Sequence, residues 1–330
     1  YYTTEGIMGS PIGACSTSIF LFIMFGAFLE KTGIGQFFID SCNAIAGGAS
    51  GGPAKVAVLS SALLGTVSGS SVSNTVGSGS FTIPMMKKLG YHGEFAGAVE
   101  AAASTVGQLI PPIMGAAAFL MAESVGVPYL TVVKAAIIPA LLYFSGIFIT
   151  VHLEAHKLGL KGLPKEEIPK FFPLFLSRGY MILPLVVIIY FLCSGKTATY
   201  SALMGIVSII IIAILVSFVD VAKGKKPRFT LNDLVEVLCS AGRGVISVAI
   251  ACGMAGIIIG VVTLTGLGLK LGAGLVALAH GKLFVTLILT MFSSIILGMG
   301  APTTANYLIT STITATAIVR CVYGAGAPSP

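Results

Sequence analysis

Four runs of this chain are apolar over lengths that suit a lipid bilayer better than a globular core. Residues 13–29, 130–151, 197–219 and 242–262 are nearly free of charge. Wound as helices rising about 1.5 Å per residue, they approach or exceed the roughly 30 Å of a hydrocarbon core. In hydrocarbon a backbone must satisfy its own hydrogen bonds, which leaves helices and closed barrels. The runs carry Gly, Ser and Thr throughout and show no alternation of period two, so they predict helices. Charged residues make up 9% of the chain and hydrophobic ones 55%, against roughly a quarter charged in a soluble domain. Too few charges remain to clothe a water-facing surface, and the expected fold class is all-α, polytopic in a membrane.

A net charge of +7 would suggest nucleic acid in a soluble protein. Here the basic residues gather in two loops between apolar runs. One, from His152 to Lys170, holds Lys157, Lys161, Lys165 and Lys170; the other holds Lys223, Lys225, Lys226 and Arg228. Lys and Arg favour cytoplasmic loops. Two helices, about 180–193 and 197–219, lie between these loops, and an even number of crossings puts both on the same side. Nucleic acid is therefore not expected as a partner. The six cysteines form no C-x-x-C pair and mostly lie in apolar runs, so they read as small hydrophobes. His152, Glu154 and His156 give H-x-E-x-H rather than H-E-x-x-H, a poor metal site. No G-x-S-x-G elbow, Walker loop or G-x-G-x-x-G occurs, so neither a hydrolase nor a nucleotide-driven pump is supported. The expectation is no enzyme, no cofactor and no metal beyond a coupling Na⁺. Tyr1 stands where an initiator Met would, without a signal-peptide layout, which suggests a fragment of a longer protein.

Some apolar runs are too short to span. Pro53 to Val67 is 15 residues, about 22 Å of helix. It leads into a polar, glycine-rich stretch from Ser68 to Ser80, the pattern of a re-entrant hairpin. The layout recurs: Lys282 to Leu297 is 16 residues, followed by Gly298-Met299-Gly300-Ala301-Pro302-Thr303-Thr304-Ala305-Asn306. Both are preceded by a matching tetrapeptide, Thr32-Gly33-Ile34-Gly35 and Thr265-Gly266-Leu267-Gly268. Gly33 to Gly266 and Gly65 to Gly298 share one offset, 233 residues, which points to an internal repeat. If the basic loops are cytoplasmic, Lys55 and the Lys87–Tyr91 turn can lie on that side too, and the second hairpin enters from the opposite face. The pieces 36–46 and 269–279 then become connecting arms near the interfaces. The expected organisation is a first inverted repeat over 1–151, with hairpin 53–86 and a broken helix 94–123, then a cytoplasmic loop 152–178. Linking helices over 179–219 and a cytoplasmic loop 220–233 follow, then an incomplete second repeat 234–320 with hairpin 282–320 and a non-helical tail 321–330.

Polar backbone at hairpin depth must line a cavity or bind something. Free N–H groups at broken helix ends suit an anion and free C=O groups suit Na⁺. Ser68, Ser71, Ser73, Asn74 and Thr75 add neutral oxygens at the first tip; Thr303, Thr304 and Asn306 do so at the second. Neutral ligands without a carboxylate fit a monovalent cation that must also leave. The bland alternative is that these small residues merely permit close helix packing. A third break lies at Gln108-Leu109-Ile110-Pro111-Pro112, where two prolines forbid a continuous helix and free its carbonyls, or simply kink it. Glu100 falls about 10 Å from the start of its helix. A carboxylate there is a candidate proton or cation partner, although that depth favours a satisfied interfacial Glu. Gly256 and Gly260 have ordinary helix-packing spacing.

The stretch Gly65-Thr-Val-Ser-Gly-Ser-Ser-Val-Ser-Asn-Thr-Val-Gly-Ser-Gly-Ser-Phe-Thr-Ile-Pro-Met-Met-Lys-Lys-Leu-Gly-Tyr91, with Glu100-Ala-Ala-Ala-Ser-Thr-Val-Gly-Gln-Leu-Ile-Pro-Pro112, resembles the large (M, DctM-like) membrane subunit of TRAP transporters. It looks most like the fused-permease branch that works with TAXI-type solute-binding proteins, and the resemblance runs from about Gly6 to Arg320. It implies a carrier in a bacterial or archaeal inner membrane, driven by Na⁺. Such a carrier imports a small organic anion, a dicarboxylate, keto acid or related acid, by an elevator-like motion. A periplasmic solute-binding protein and a small membrane domain, separate or fused upstream, are the implied partners. Carried over, the cation ligands fall at Ser68, Gly69, Ser71, Asn74, Gln108, Pro111, Gly298, Gly300, Thr303 and Asn306, and the substrate contacts at Ser70, Ser73, Thr75, Pro112, Pro302 and Thr304. One departure stands out: shifted by 233 residues, the counterpart of Pro111 falls past Pro330, so the second broken helix is missing and this stretch alone is expected not to transport. Rival readings are a Na⁺/dicarboxylate or ion-antiport carrier without a binding protein and, from another class, an intramembrane enzyme or scaffold.

Overall fold

The computed structural model describes residues 6–160, 162–163, 168–222, 224, 229–299 and 303–323, and these are helical with no strand among them. In chain order the helices are α1 (Ser10–Ala14), continued through a π-helical turn Cys15–Ile19 into α2 (Phe20–Lys31), then α3 (Ile34–Ala46), α4 (Gly52–Ser68), α5 (Ser71–Lys88) and α6 (Gly93–Val106). Next come α7 (Ala116–Val125), α8 (Tyr129–Lys157), α9 (Phe171–Arg178), α10 (Leu183–Cys193) and α11 (Ala198–Ala222). The last are α12 (Leu231–Thr265), α13 (Leu267–Leu278), α14 (Leu283–Gly298) and α15 (Thr303–Tyr323). Among the described residues, five stretches are long and apolar enough to cross a membrane: Ser10–Lys31, Tyr129–Lys157, Phe171–Cys193, Ala198–Val221 and Asn232–Val262. Their apolar surfaces are bare, as at Leu142 and Leu176, which is the face a lipid-embedded helix presents. Helix α9 makes the end of the expected loop 152–178 helical, and its Phe171, Phe172, Phe175 and Leu176 run on into α10 as a stretch long and apolar enough to cross a membrane. Most lysines of the two basic loops, and residues 324–330, lie outside the described residues.

The chain forms two compact units. One comprises residues 20–115 and 128–242. Its centre is the bundle of α4, α5, α6 and α8, whose core is rich in alanine: Ala54 and Ala57 of α4, Ala96 and Ala103 of α6, Ala155 of α8, all buried. Small side chains let helix backbones approach closely, which is how helices associate where no water drives them together. Helix α3 lies on α4, burying Phe37, Phe38 and Cys42. Its partner α9 is tied to it where Arg178 Nη1 meets Asp40 at 3.5 Å. Helix α12 starts with a reciprocal cap. The Thr230 N–H and hydroxyl donate to Asp233 Oδ2 at 2.8 and 2.5 Å, and the Asp233 N–H returns to Thr230 Oγ1 at 3.4 Å. Lys31, at the end of α2, bridges Asp233 and Glu236 at 3.1 and 2.7 Å.

The other unit holds residues up to Ile19, 116–127 and 243 onward. There α13, α14 and α15 pack on one another, and α7 packs on α1 and α15. Gly256 is tight, but its neighbour is not a helix: a Cβ on it would fall 2.2 Å from the carbonyl oxygen of Gly6.

The matched tetrapeptides have matched backbones. Gly33 and Gly266 both cap their helices in the left-handed region, at φ 84° and 62°, where a side chain would be strained. The preceding threonines do the same thing in each copy, Thr32 donating to Leu29 O at 2.6 Å and Thr265 to Val261 O at 2.7 Å. In both places a helix of 13 or 12 residues follows, then one of 17 or 16, a break, and one of 18 or 21.

Candidate functional site

Helices α4 and α5 fold back on one another at Gly69 and Ser70. Asn74 holds the pair, its Nδ2 donating to Ser61 O at 2.7 Å, while Thr75 Oγ1 donates back to Ser71 O at 2.8 Å within α5. The turn is wrapped by the irregular stretch 107–115, where α6 stops and α7 has not begun. Two close approaches place it. A Cβ on Gly65 would lie 2.2 Å from Gly107 Cα, and one on Gly69 would lie 2.7 Å from Met114 O. Only glycine permits backbones this close. Gln108 Nε2 then donates to Ser71 Oγ at 3.2 Å, and Gly115 N to Gln108 O at 3.0 Å. Pro111 and Pro112, joined by a cis peptide, keep the stretch from coiling. From α8 the Tyr129 hydroxyl reaches Ile113 O at 2.5 Å and Pro112 O at 3.0 Å.

The structure thus brings the turn Ser68, Gly69, Ser70 and Ser71 against Gln108, Met114 and Gly115, with Pro111 and Pro112 in the same irregular stretch. No backbone N–H among the described residues donates to the carbonyls of Leu109, Ile110 or Pro111, and Gln108 ties the break to the Ser71 hydroxyl. That donor set, neutral oxygens with no charged partner, fits a monovalent cation better than a divalent one. Asn74 is buried and turned back onto α4, where its amide N–H is committed to Ser61 O. The side chain of Ser73 lies outside the described residues. Tyr129 was not legible as part of this site, since one tyrosine near the start of a long apolar helix carries no motif.

In the other unit, α14 and α15 form the corresponding pair. Gly298 makes room for Asn306: a Cβ there would meet Asn306 Nδ2 at 2.6 Å. The Asn306 side-chain oxygen is buried without a hydrogen-bond partner among the described residues, at the edge of an open cleft lined by Ser294, Gly298 and Met299. A buried amide oxygen without a donor is costly unless something fills that place. Thr304 is buried. Gly300 and Pro302, with the side chain of Thr303, lie outside the described residues.

Glu100 is a satisfied carboxylate. It is 0% exposed, because α4, α5 and α8 all pack against α6. Its carboxylate is caged by hydroxyls: Ser61, Ser78 and Ser104 reach Oε1 at 2.6, 2.5 and 3.0 Å, and Thr82 reaches Oε2 at 2.5 Å. Sequence did hold a signal, since Ser78 and Thr82, and Glu100 and Ser104, are each four residues apart on one helix face. The contribution of Ser61 is purely tertiary.

A family model described as tripartite ATP-independent periplasmic transporter, DctM component, matches residues 4–322. Among curated proteins, the chain is similar to the C4-dicarboxylate TRAP transporter large permease protein of Pseudomonas aeruginosa, 28% identical over 64% of this chain and 49% of that protein. The sialic acid TRAP transporter large permease protein of Vibrio cholerae is 26% identical over 59% of this chain and 45% of its own length. The 2,3-diketo-L-gulonate TRAP transporter large permease protein of Escherichia coli is 23% identical over 51% of this chain and 39% of itself. The chain therefore spans about half or less of the curated relatives it matches.

Proposed function

The chain belongs to the DctM component family of tripartite ATP-independent periplasmic transporters, and from that premise we propose that it is the carrier part of a Na⁺-coupled importer of a small organic anion. The family consists of transporter permeases rather than enzymes. The observation that supports the coupling is the first turn, where Gln108 donates to Ser71 Oγ and the carbonyls of Leu109, Ile110 and Pro111 accept no backbone N–H among the described residues. Na⁺ there would neutralise the C=O ends of a broken helix. Gly298, Gly300, Thr303 and Asn306 are the proposed ligands at the second turn, with Pro302 and Thr304 beside the substrate. At the first turn Asn74 and Gln108 complete the cation shell, Asn74 through its side-chain oxygen. Ser70, Ser73, Thr75 and Pro112 face the substrate.

The helix pairs α4–α5 and α14–α15 are the re-entrant hairpins of two inverted repeats in this proposal, moving by an elevator-like step. The repeated Thr-Gly corners at Gly33 and Gly266 support the repeat. An organic acid is the substrate class, since the relatives are named for C4-dicarboxylate, sialic acid and 2,3-diketo-L-gulonate. A periplasmic binding protein of TAXI type, a small membrane domain and a prokaryotic inner membrane complete the assignment. Uptake into proteoliposomes holding the protein that carries this chain, with its binding protein, tests it. Uptake should require an inward Na⁺ gradient and the binding protein. Uptake that continues in K⁺ alone removes the coupling; uptake without the binding protein favours a carrier that works alone.

A further inference from the structure

The caged Glu100 is not used by the Na⁺ reading. Five side chains, Glu100, Ser61, Ser78, Thr82 and Ser104, are each no more than 1% exposed. The ion pairs among the described residues, Lys31 with Asp233 and Glu236, Lys157 with Glu154, and Arg178 with Asp40, leave Glu100 out. On the packed helices, Lys55 of α4 lies over the Phe148 ring, 5.8 Å from its centre. Lys87 and Lys88 occupy the last turn of α5, and Lys87 runs along Gly93. Glu94 sits in the first turn of α6. On α8, Tyr143 donates to Ala102 O at 3.4 Å, while Lys134 lies near one end and His152, Glu154, His156 and Lys157 near the other. Among the described residues no ion pair supplies a counter-charge to the carboxylate.

Three of the four hydroxyls have a second acceptor in reach. Ser78 Oγ lies 2.6 Å from Asn74 O, Thr82 Oγ1 3.0 Å from Ser78 O, and Ser61 Oγ 3.1 Å from Ser78 Oγ. A hydroxyl has one proton to give. With Glu100 ionised, all four hydroxyls point at it. With Glu100 protonated, its own O–H donates to Ser78 Oγ, and Ser78 turns its proton to Asn74 O. Both arrangements use the same heavy-atom positions, so the cage accommodates either charge state. A sodium ion has no place between oxygens that already touch.

We propose that Glu100 is a proton-binding site inside the first helix pair, taking one proton from water on protonation and returning it on ionisation. It is linked through Ser78 to Asn74 and so to the turn at Gly69. The link to transport rests on the carrier reading; the protonation itself does not. Infrared difference spectra between low and high pH, on the protein carrying this chain in lipid, read it directly. A protonated-carboxyl band should vanish as pH rises, be missing in Glu100→Gln and persist in Glu94→Gln. A Glu100→Gln spectrum identical to the parent overturns the proposal. Should that variant not fold, Ser78→Ala decides: it removes a partner that both charge states use, so the pH midpoint of the band should move, and an unmoved midpoint overturns the proposal. In proteoliposomes the pH dependence of uptake should flatten in Glu100→Gln. If the parent protein shows no uptake, the carrier reading fails while the band still decides the proton site.

Discussion

Replacing Gly65 by alanine tests whether the α4–α5 turn and the α6 break are one unit. The new Cβ would fall 2.2 Å from Gly107 Cα, 3.0 Å from Gly107 N and 3.3 Å from Asn74 Nδ2. Carbon atoms in contact prefer about 3.5–4.0 Å, so two backbones must part by roughly 1.3 Å or more, and neither has a flexible end to swing aside. Overpacking of this kind costs about 1–3 kcal/mol. Parting also strains the Gln108 to Ser71 hydrogen bond, worth about 0.5–1.5 kcal/mol. Together these predict a loss of about 2–4 kcal/mol. Gly97→Ala is the internal control: it lies within α6 with nothing inside 4 Å of the new Cβ, so alanine should gain about 0.5–1 kcal/mol from helix propensity alone. With no Trp in the chain, unfolding is best followed with a thiol-reactive dye, since Cys15, Cys42 and Cys252 are buried and free. Gly65→Ala should unfold at lower temperature than the parent and Gly97→Ala at equal or higher temperature. A Gly65→Ala protein as stable as the parent would refute the close approach and the site built on it.

Tyr129→Phe removes the donor to Ile113 O and Pro112 O, so the same melt should show a loss of about 1–3 kcal/mol; no loss would mean the break is held otherwise. Asn306→Ala removes a side-chain oxygen that has no partner among the described residues, so thermal stability should change little while the Na⁺ or substrate concentration for half-maximal uptake rises. An equal fall in stability would make Asn306 a packing residue instead. Gln108→Leu, nearly isosteric, loses the Ser71 bond and should weaken Na⁺ activation of uptake about tenfold, the effect of roughly 1.4 kcal/mol; unchanged Na⁺ activation would remove Gln108 from the site.

The spans were legible because the constraint on them is a length: runs such as 197–219 must be long and uncharged to cross hydrocarbon, and α11 follows at Ala198–Ala222. The broken elements were legible for a related reason. The Pro111–Pro112 pair removes two adjacent N–H donors and the polar, glycine-rich run from Ser68 follows an apolar run too short to span, so both announce where backbone groups come free. Pairings between elements were not legible. Gly65 and Gly107 are two among 41 glycines, and nothing local says that these two meet. Likewise Ser61 joins Ser78 and Glu100 only because α4 lies against α5 and α6. The burial of Glu100 could not be read from its depth along one helix, because burial depends on which neighbours cover that helix. Phe171 to Leu176 were placed in the basic loop 152–178, yet they are helical, and Pro173 falls in the first turn of that helix, where proline is tolerated.

The central claim is that the turn at Gly69 and the break at 107–115 bind Na⁺. A ligand that binds only the folded state stabilises it by about 2.7 kcal/mol at a hundredfold excess over its dissociation constant. The protein carrying this chain should therefore unfold at a higher temperature in NaCl than in KCl at equal ionic strength, and Ser71→Ala and Gln108→Ala should reduce that difference. Identical unfolding in the two salts, at concentrations that support uptake, would contradict the account.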